Sequence, residues 1–382
     1  MYRLNPAQTE LIAQARKLAE DSISPYAPNV DQDGRFPAEG IEALGAAGFM
    51  GLIIPTEYGG MGQPLRLAAA IVEEIAKCCG SSAMVYMMHL CGISCYLAEP
   101  EKFSAQLKAA AKGEHLSTLA FSEIGSRSHF WVPVSKTEYI DGTVTLNAEK
   151  SWVTAAGVAD GLVSTAGAFE AEGAAVFLVK KDDPGVSVSG KWSGLGLRGN
   201  GSAPMIFKDL KLDPATRLIG ENGKGIDIML GKALPVFQVC QGAIGVGLAE
   251  AAVAATQAHL TGQSFQYSAS KLADLPILRS RLAEMRIETD KARAYLSAVL
   301  DKMECGAADT MLHVLAVKVC SDETAVNVTD LGMRACGGAA FSKHLALERV
   351  FRDARAATVM APTTDVLREF IGRVLVGLPL FS

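Results

Sequence analysis

The chain has 382 residues, 49% hydrophobic and 20% charged, a composition that excludes disorder and coiled coil and suits two or three globular domains. Thirty-six basic residues against 41 acidic ones leave a net charge of −5 with histidine neutral, so there is no basic footprint for nucleic acid or an anionic membrane. The eight cysteines form no CxxC pair and no zinc spacing, which argues against a disulfide scaffold or a metal site and reads as buried thiols in a reducing, cytoplasmic setting.

Residues 1–118 are helical in pattern. Asn5-Pro6 ahead of Leu11, Ala15, Leu18 and Ala19 predicts an amphipathic helix instead of a signal peptide. Ile41, Leu44 and Ala47, then Ile71, Ile75 and Cys79, repeat the helical spacing. Between these sets, GFMGLIIPTEYGGMG (48–62) is a short apolar run ending in a glycine-rich turn. Two uncharged stretches invite a membrane reading. However, 80–98 contains His89 and three serines, and 233–249 contains Pro235, Gln238 and Gln241. Both read as helices buried on all sides of a large fold.

From 119 to 226 the period falls to two. Asp141-Gly142 before Thr143-Val144-Thr145-Leu146 is a hairpin signal. Further strands are predicted over 161–166, 174–179, 186–189 and 204–212, punctuated by Gly and Pro, so this section is a compact β domain. Helical spacing returns over 227–382, through Leu278, Leu282, Met285 and Ile287, then Leu312, Leu315 and Val319. Helices, strands and helices in that order predict three packed segments, not a βαβ alternation. There is no P-loop, GxGxxG, GxSxG or HExxH. The glycines of Leu195-Gly196-Leu197-Arg198-Gly199 read as a turn among strands, because no helix follows them.

Six segments, in order and at consistent spacing, carry a resemblance: GFMGLIIPTEYGGMG at 48–62, LNAEKSWVTAAGVAD at 146–160, GLGLRGNGSAPMIFKDLKL at 194–212, LADLPILRSRLAEM at 272–285, CGGAAF at 336–341 and FRDARAATVMAPTTDVLREFIGR at 351–373. Together they make the chain resemble the acyl-CoA dehydrogenase family from end to end. The resemblance implies a mainly α fold: an N-terminal helical domain, a middle β-barrel-like domain and a C-terminal four-helix bundle. It also implies FAD held between the β domain and the C-terminal helices, in a homo-oligomer (dimer or tetramer) with sites at subunit interfaces.

On the same resemblance, Leu119, Phe121 and Ser122 match the family's first flavin-contacting strand, and Ser128 a cofactor-binding serine. Trp152-Val153-Thr154 matches its Trp-Ile-Thr segment, with the indole beside the isoalloxazine and the hydroxyl near N5. An aromatic wall with a few donors suits a flavin, since it excludes water and fixes the ring. Arg334 falls where a flavin-contacting glutamine usually precedes Gly337-Gly338. Thr363 and Asp365 fall at further cofactor positions, although they also read as a helix cap with an early acid. His89 lies on the helix bordering the acyl pocket, where a satisfied core histidine is the commoner case. Phe237, Gln238, Met360 and Ala361 complete the expected substrate pocket.

The family's two alternative positions for the glutamate that abstracts an α-proton are here Ala361 and Phe237, neither able to take a proton. General-base catalysis contributes about 10²–10⁴-fold in rate. The arginine and aspartate that help hold CoA are replaced by Gln238 and Pro235. The run Glu123-Ile124-Gly125-Ser126-Arg127-Ser128-His129 keeps little of the family's acidic-glycine pattern. Phe265-Gln266-Tyr267-Ser268-Ala269 lacks the arginine that reaches the neighbouring subunit's FAD diphosphate, a contact that Arg334 is placed to supply instead. The charged run Glu348, Arg349, Arg352, Asp353 and Arg355 reads as an ion-pair network.

The sequence thus points to an FAD-dependent oxidoreductase acting on an acyl thioester of CoA or a carrier protein, passing electrons to a protein acceptor or oxygen, with ordinary α,β-dehydrogenation disfavoured. Two alternatives stay open. One is an oxygenase or eliminating enzyme on the same scaffold; the other is a non-catalytic subunit of a hetero-oligomer.

Overall fold

The structure is a computed structural model that describes residues 2–127 and 129–381. Six helices come first: α1 (Pro6–Ser22), α2 (Ala27–Asp33), α3 (Ala38–Ala46), α4 (Leu65–Cys78), α5 (Gly80–Tyr96) and α6 (Ser104–Ala111). The Asn5 start is a full capping box: the Asn5 side chain accepts from Gln8 N–H, and the Gln8 side chain accepts from Asn5 N–H. All 17 residues of α5 are buried, His89 and the serines included. Ser94 Oγ satisfies itself on Cys91 O at 2.6 Å, which lets a polar side chain lie in the core.

Seven strands follow: β1 (Ser117–Ala120), β2 (Lys136–Ile140), β3 (Thr143–Val153), β4 (Gly161–Gly167), β5 (Ala174–Lys180), β6 (Val186–Val188) and β7 (Ala203–Leu212). They form a three-stranded sheet β1-β4-β5, with β1 and β4 parallel, and an antiparallel sheet β2-β3-β7-β6. The sheets face each other across Phe177, Leu162, Val144, Leu146, Phe207 and Leu210. The three-stranded sheet is covered on both faces. Leu162 and Phe177 point into the β core, while Val163, Val176 and Leu178 pack on the helices. Being buried on both sides is why β4 and β5 read as continuous apolar runs without alternation.

The last part comprises α7 (Pro214–Arg217), α8 (Gly225–Ile228), α9 (Leu234–Gly262), α10 (Pro276–Cys305), α11 (Thr310–Cys336), α12 (Gly338–Phe341), α13 (Leu347–Val359) and α14 (Thr364–Leu375). A π-helical turn, Met229–Ala233, joins α8 to α9. That rod, Gly225–Gly262, is the one helix among the described residues long and apolar enough to cross a membrane, and 89% of its most apolar window is buried inside the fold. It packs against α4, α5, α10, α11 and α13 and is the central strut of the helical core.

Candidate active site

A cavity of about 800 Å³ opens where the β domain meets α5, the α8–α9 rod and the end of α13. The β side contributes Leu119 on β1 with Phe121 and Ser122 just after it, then Trp152 at the end of β3 and Thr154 just beyond. Met84 and Met88 come from α5, and Met229, Leu234 and Phe237 from the rod. The C-terminal end of α13 closes the third side with Val359, Met360 and Ala361. On the rod, Met229 and Ala233 of the cavity wall belong to the π-helical turn, a feature frequent at functional sites.

Trp152 is aimed by backbone geometry. The β3–β7 register shifts between Lys150 and Val153, and Trp152 takes a left-handed φ of 55°. Such a bulge redirects a strand's side chains. The indole ends up 59% exposed in the cavity, edge-on to Trp192 with ring centroids 5.4 Å apart. Thr154 is buried, its hydroxyl 3.1 Å from that of Ser202. Val153, expected beside the cofactor, instead turns its side chain into the β core and does not line the cavity. The register shift after Lys150 dictates this, because it breaks the alternation that buries Val144, Leu146, Ala148 and Lys150 and turns Trp152 outward and Val153 inward.

Glu123 is the only carboxylate lining the cavity among the described residues. It is not free. Its Oε1 accepts from Lys150 Nζ and from Ser135 Oγ, both at 2.6 Å, and its Oε2 accepts from the N–H groups of Val134 and Ser135. Burial alone would raise its pKa, but the Lys150 charge and these donors outweigh burial and hold it below the usual carboxylate range. Lys150 is fully buried, and burial draws its own pKa down. Glu123 therefore anchors the segment after β1 and has no lone pair to offer a substrate.

The charged run of α13 is a docking device. Arg352 pairs with Asp31 of α2 and with Glu348, and donates to Leu195 O. Asp353 is buried and accepts from Leu197 N–H at 2.6 Å. Gly196 lies so close to the Arg352 backbone that no Cβ fits. The 194–200 turn is thereby pinned on α13, and through it Leu195, Leu197 and Asn200 reach the cavity.

Several expected site residues lie elsewhere. His89 is a correction: it is fully buried, with Nε2 2.8 Å from Met50 O and Nδ1 accepting from Ser117 N–H at 3.1 Å. It ties the 49–51 turn to β1 and does not face the cavity. Gln238 is another. It is fully buried beside Phe237 but off the cavity, and neither atom of its amide has a protein partner. Arg334 sits on the exposed end of α11, paired with Asp330 at 3.0 Å. Gly337 and Gly338 join α11 to α12. Thr363 caps α14 by accepting from Val366 N–H, and Asp365 is a solvated first-turn acid facing Arg368 at 3.5 Å. None of these last five lines the cavity of its own chain. Ser128 lies outside the described residues. Leu119, Phe121, Ser122, Trp152, Thr154, Phe237, Met360 and Ala361 do converge on the cavity.

Met84, Met88 and Trp192 line it too and were not singled out by sequence reasoning; Arg127 and Arg355, read from sequence only as members of two charged or polar runs, line it as well. Trp192, two residues before the Gly194–Gly196 turn, was the legible one, since a tryptophan beside a strand-domain turn is seldom pure core.

Helical, β and helical domains around a cavity walled by an exposed indole, hydroxyls and methionines define the acyl-CoA dehydrogenase class of fold. Family models for the N-terminal, middle and C-terminal domains of acyl-CoA dehydrogenases match residues 5–114, 118–210 and 223–376. A probable acyl-CoA dehydrogenase of Mycobacterium leprae is 30% identical over 98% of this chain and 97% of its own. Acryloyl-CoA reductase (NADH) of Anaerotignum propionicum is 29% identical over 97% and 95%. The solved butyryl-CoA dehydrogenase of Megasphaera elsdenii superposes with a TM-score of 0.91 at 23% identity, covering 98% of this chain and 99% of that one. The chain belongs to the acyl-CoA dehydrogenase family.

Proposed function

We propose that this protein is an FAD-dependent oxidoreductase acting on acyl thioesters. The observation that carries the reading is the aimed Trp152. A left-handed non-glycine residue costs about 1–2 kcal/mol, and here it leaves an indole uncovered in a cavity that a planar ring would cover. Ser122, Thr154 and Ser202 stand beside that surface as hydrogen-bonding groups, so the residues present fit a flavin. Bound FAD supplies two-electron redox chemistry, which no side chain here supplies.

The chain's own residues do the rest. Trp152 and Trp192 wall one side against water and so strengthen every polar contact within. Met84, Met88, Met229, Leu234 and Phe237 offer an apolar recess suited to an acyl chain, with methionines able to adapt to its shape. Among the described residues the cavity contains no histidine and no carboxylate apart from the engaged Glu123. Removal of an α-proton by a side chain at Ala361 or Phe237 is therefore outside this chain's means. That favours a second reading on the same scaffold, oxygen activation or elimination, in which an α-proton base is not needed. The acyl carrier is CoA or a carrier protein, the assembly a homo-oligomer, and the setting cytoplasmic.

The test is the visible spectrum of the purified protein, followed by anaerobic mixing with a panel of acyl-CoAs. Bound flavin that bleaches slowly, together with substrate-dependent oxygen uptake in air, supports the second reading. Rapid bleaching with stoichiometric enoyl product supports ordinary dehydrogenation by another base. A colourless protein that takes up no FAD overturns the flavin reading and leaves a non-catalytic subunit.

A further inference from the structure

Two guanidiniums face the cavity with no carboxylate among the described residues to neutralise them. Arg127 stands on the turn after Glu123, and Arg355 on the stripe of α13 that also presents Ala356, Val359 and Met360 to the cavity. Neither side chain makes an ion pair or hydrogen bond among the described residues. The neighbouring cations are all engaged. Arg352 is held by Asp31 and Glu348, Arg349 donates to Cys78 O, Lys150 is matched to Glu123, and Arg334 is paired with Asp330 away from the cavity. With Glu123 cancelled by Lys150, the charge that the described residues present to the cavity is two uncompensated positive groups.

Their placement is graded. Arg127 and Arg355 are exposed, whereas Met84, Met229 and Phe237 are buried, so the cavity is cationic at its mouth and apolar at its far end. Arg127 is also held in place. Its backbone takes a φ of 51°, and its N–H donates to Glu123 O at 3.3 Å, one turn from the buried ion pair. An acyl group with an ionised tail would have to bury its charge against methionines, which costs several kcal/mol. A ligand with a neutral end inside and a doubly charged group at the mouth fits.

We infer that Arg127 and Arg355 clamp a diphosphate at the mouth of the cavity. Guanidinium forks match phosphate oxygens in bidentate geometry, and two of them balance a dianion. The choice of ligand rests on the proposed function, since FAD and CoA each carry a diphosphate.

Arg127→Gln, Arg355→Gln and the double variant test it, with thermal unfolding confirming that each folds. Three titrations are compared with wild type: FAD into apoprotein by flavin fluorescence, CoA into flavin-loaded protein by calorimetry, and inorganic pyrophosphate into apoprotein by the emission of Trp152 and Trp192. Each single variant is expected to weaken FAD or CoA binding by about tenfold, and the double variant by more, with a shallower salt dependence; which of the two weakens names the source of the diphosphate. Affinities within about twofold of wild type in all three titrations overturn the clamp. If wild type binds neither FAD nor CoA, the proposed function fails by itself and pyrophosphate decides. Saturable binding lost in the double variant upholds the clamp, and no binding overturns it.

Discussion

Neutral imidazole is the form of His89 that its surroundings accept. One ring nitrogen donates to Met50 O and the other receives Ser117 N–H; a second proton would set two donors against each other. Burial lowers its pKa from 6.5 to about 4. Below about pH 6.5 the unfolded chain takes up a proton that the native state refuses, so this contribution is whole above 6.5 and is lost as pH falls toward 4. His89→Ala is expected to cost about 2–4 kcal/mol by orphaning two backbone groups and to remove this share of the acid sensitivity. Urea melts of both proteins at pH 7 and pH 5 check it, and parallel pH dependences would exclude the assignment. Ala361 offers the converse experiment, a gain. Ala361→Glu puts an acid on the cavity wall and is expected to speed anaerobic flavin bleaching by butyryl-CoA by about 10²-fold or more. Unchanged rates at unchanged flavin content would show that this backbone does not aim a carboxylate at the substrate.

At the level of elements, the cavity is assembled by loops strapped onto α13 and α14. Burial raises the Asp353 carboxyl to about 6, the opposite sign to His89. The native state keeps its proton up to about pH 6, while the unfolded chain releases it near 3.8. The contribution is therefore largest below pH 4 and is lost as pH rises through 6. Asp353→Asn keeps an acceptor for Leu197 N–H and removes the titration. Relative to wild type, the variant should gain about 2–3 kcal/mol between pH 4 and pH 7, read from denaturant midpoints. The second strap is aromatic. Trp131 stacks on Phe381 at 4.8 Å and meets Phe370 edge-on at 5.0 Å, joining the segment after β1 to α14 and the C-terminal tail. Phe381→Ala is expected to speed amide exchange over residues 124–134 and leave β4 and β5 protected. Exchange unchanged in that segment would mean that the Glu123–Lys150 pair alone holds it.

On the scale of the whole molecule, the end of α14 and the turn after it leave Val374, Leu375, Val376 and Leu378 exposed together. Clustered apolar residues at one corner suit the homo-oligomer proposed above. Light scattering should give a multiple of the chain mass, and Leu375→Glu with Val376→Glu should shift it toward monomer. An unaltered mass would place the interface elsewhere. Inside, the helical core carries polar groups as well. Lys318 and Asp322 are both fully buried and 3.1 Å apart, with Lys318 Nζ donating to Ala357 O at the end of α13. Gln241 reaches Asp322 at 3.1 Å. Such pairs are costly to split, and this one fixes the last turn of α13 against the core, directly behind the cavity wall.

Local pattern was enough for the elements. Asn5-Pro6 opened α1, Asp141-Gly142 turned the β2–β3 hairpin, and the uncharged run around His89 became a helix buried on every side. Periodicity and turn chemistry act over a few residues and are written in the order of the chain. The aromatic and hydroxyl wall was legible too, through the resemblance around Trp152 and Thr154. Which of two adjacent side chains faces the cavity was not. The bulge that sends Trp152 outward and Val153 inward, the backbone partners that occupy both nitrogens of His89, and the Asp31 carboxylate that engages Arg352 while no described residue pairs with Arg127 or Arg355 all depend on residues distant in sequence. Chain order carries propensity; only packing decides which polar groups are already satisfied and which are left to meet a ligand.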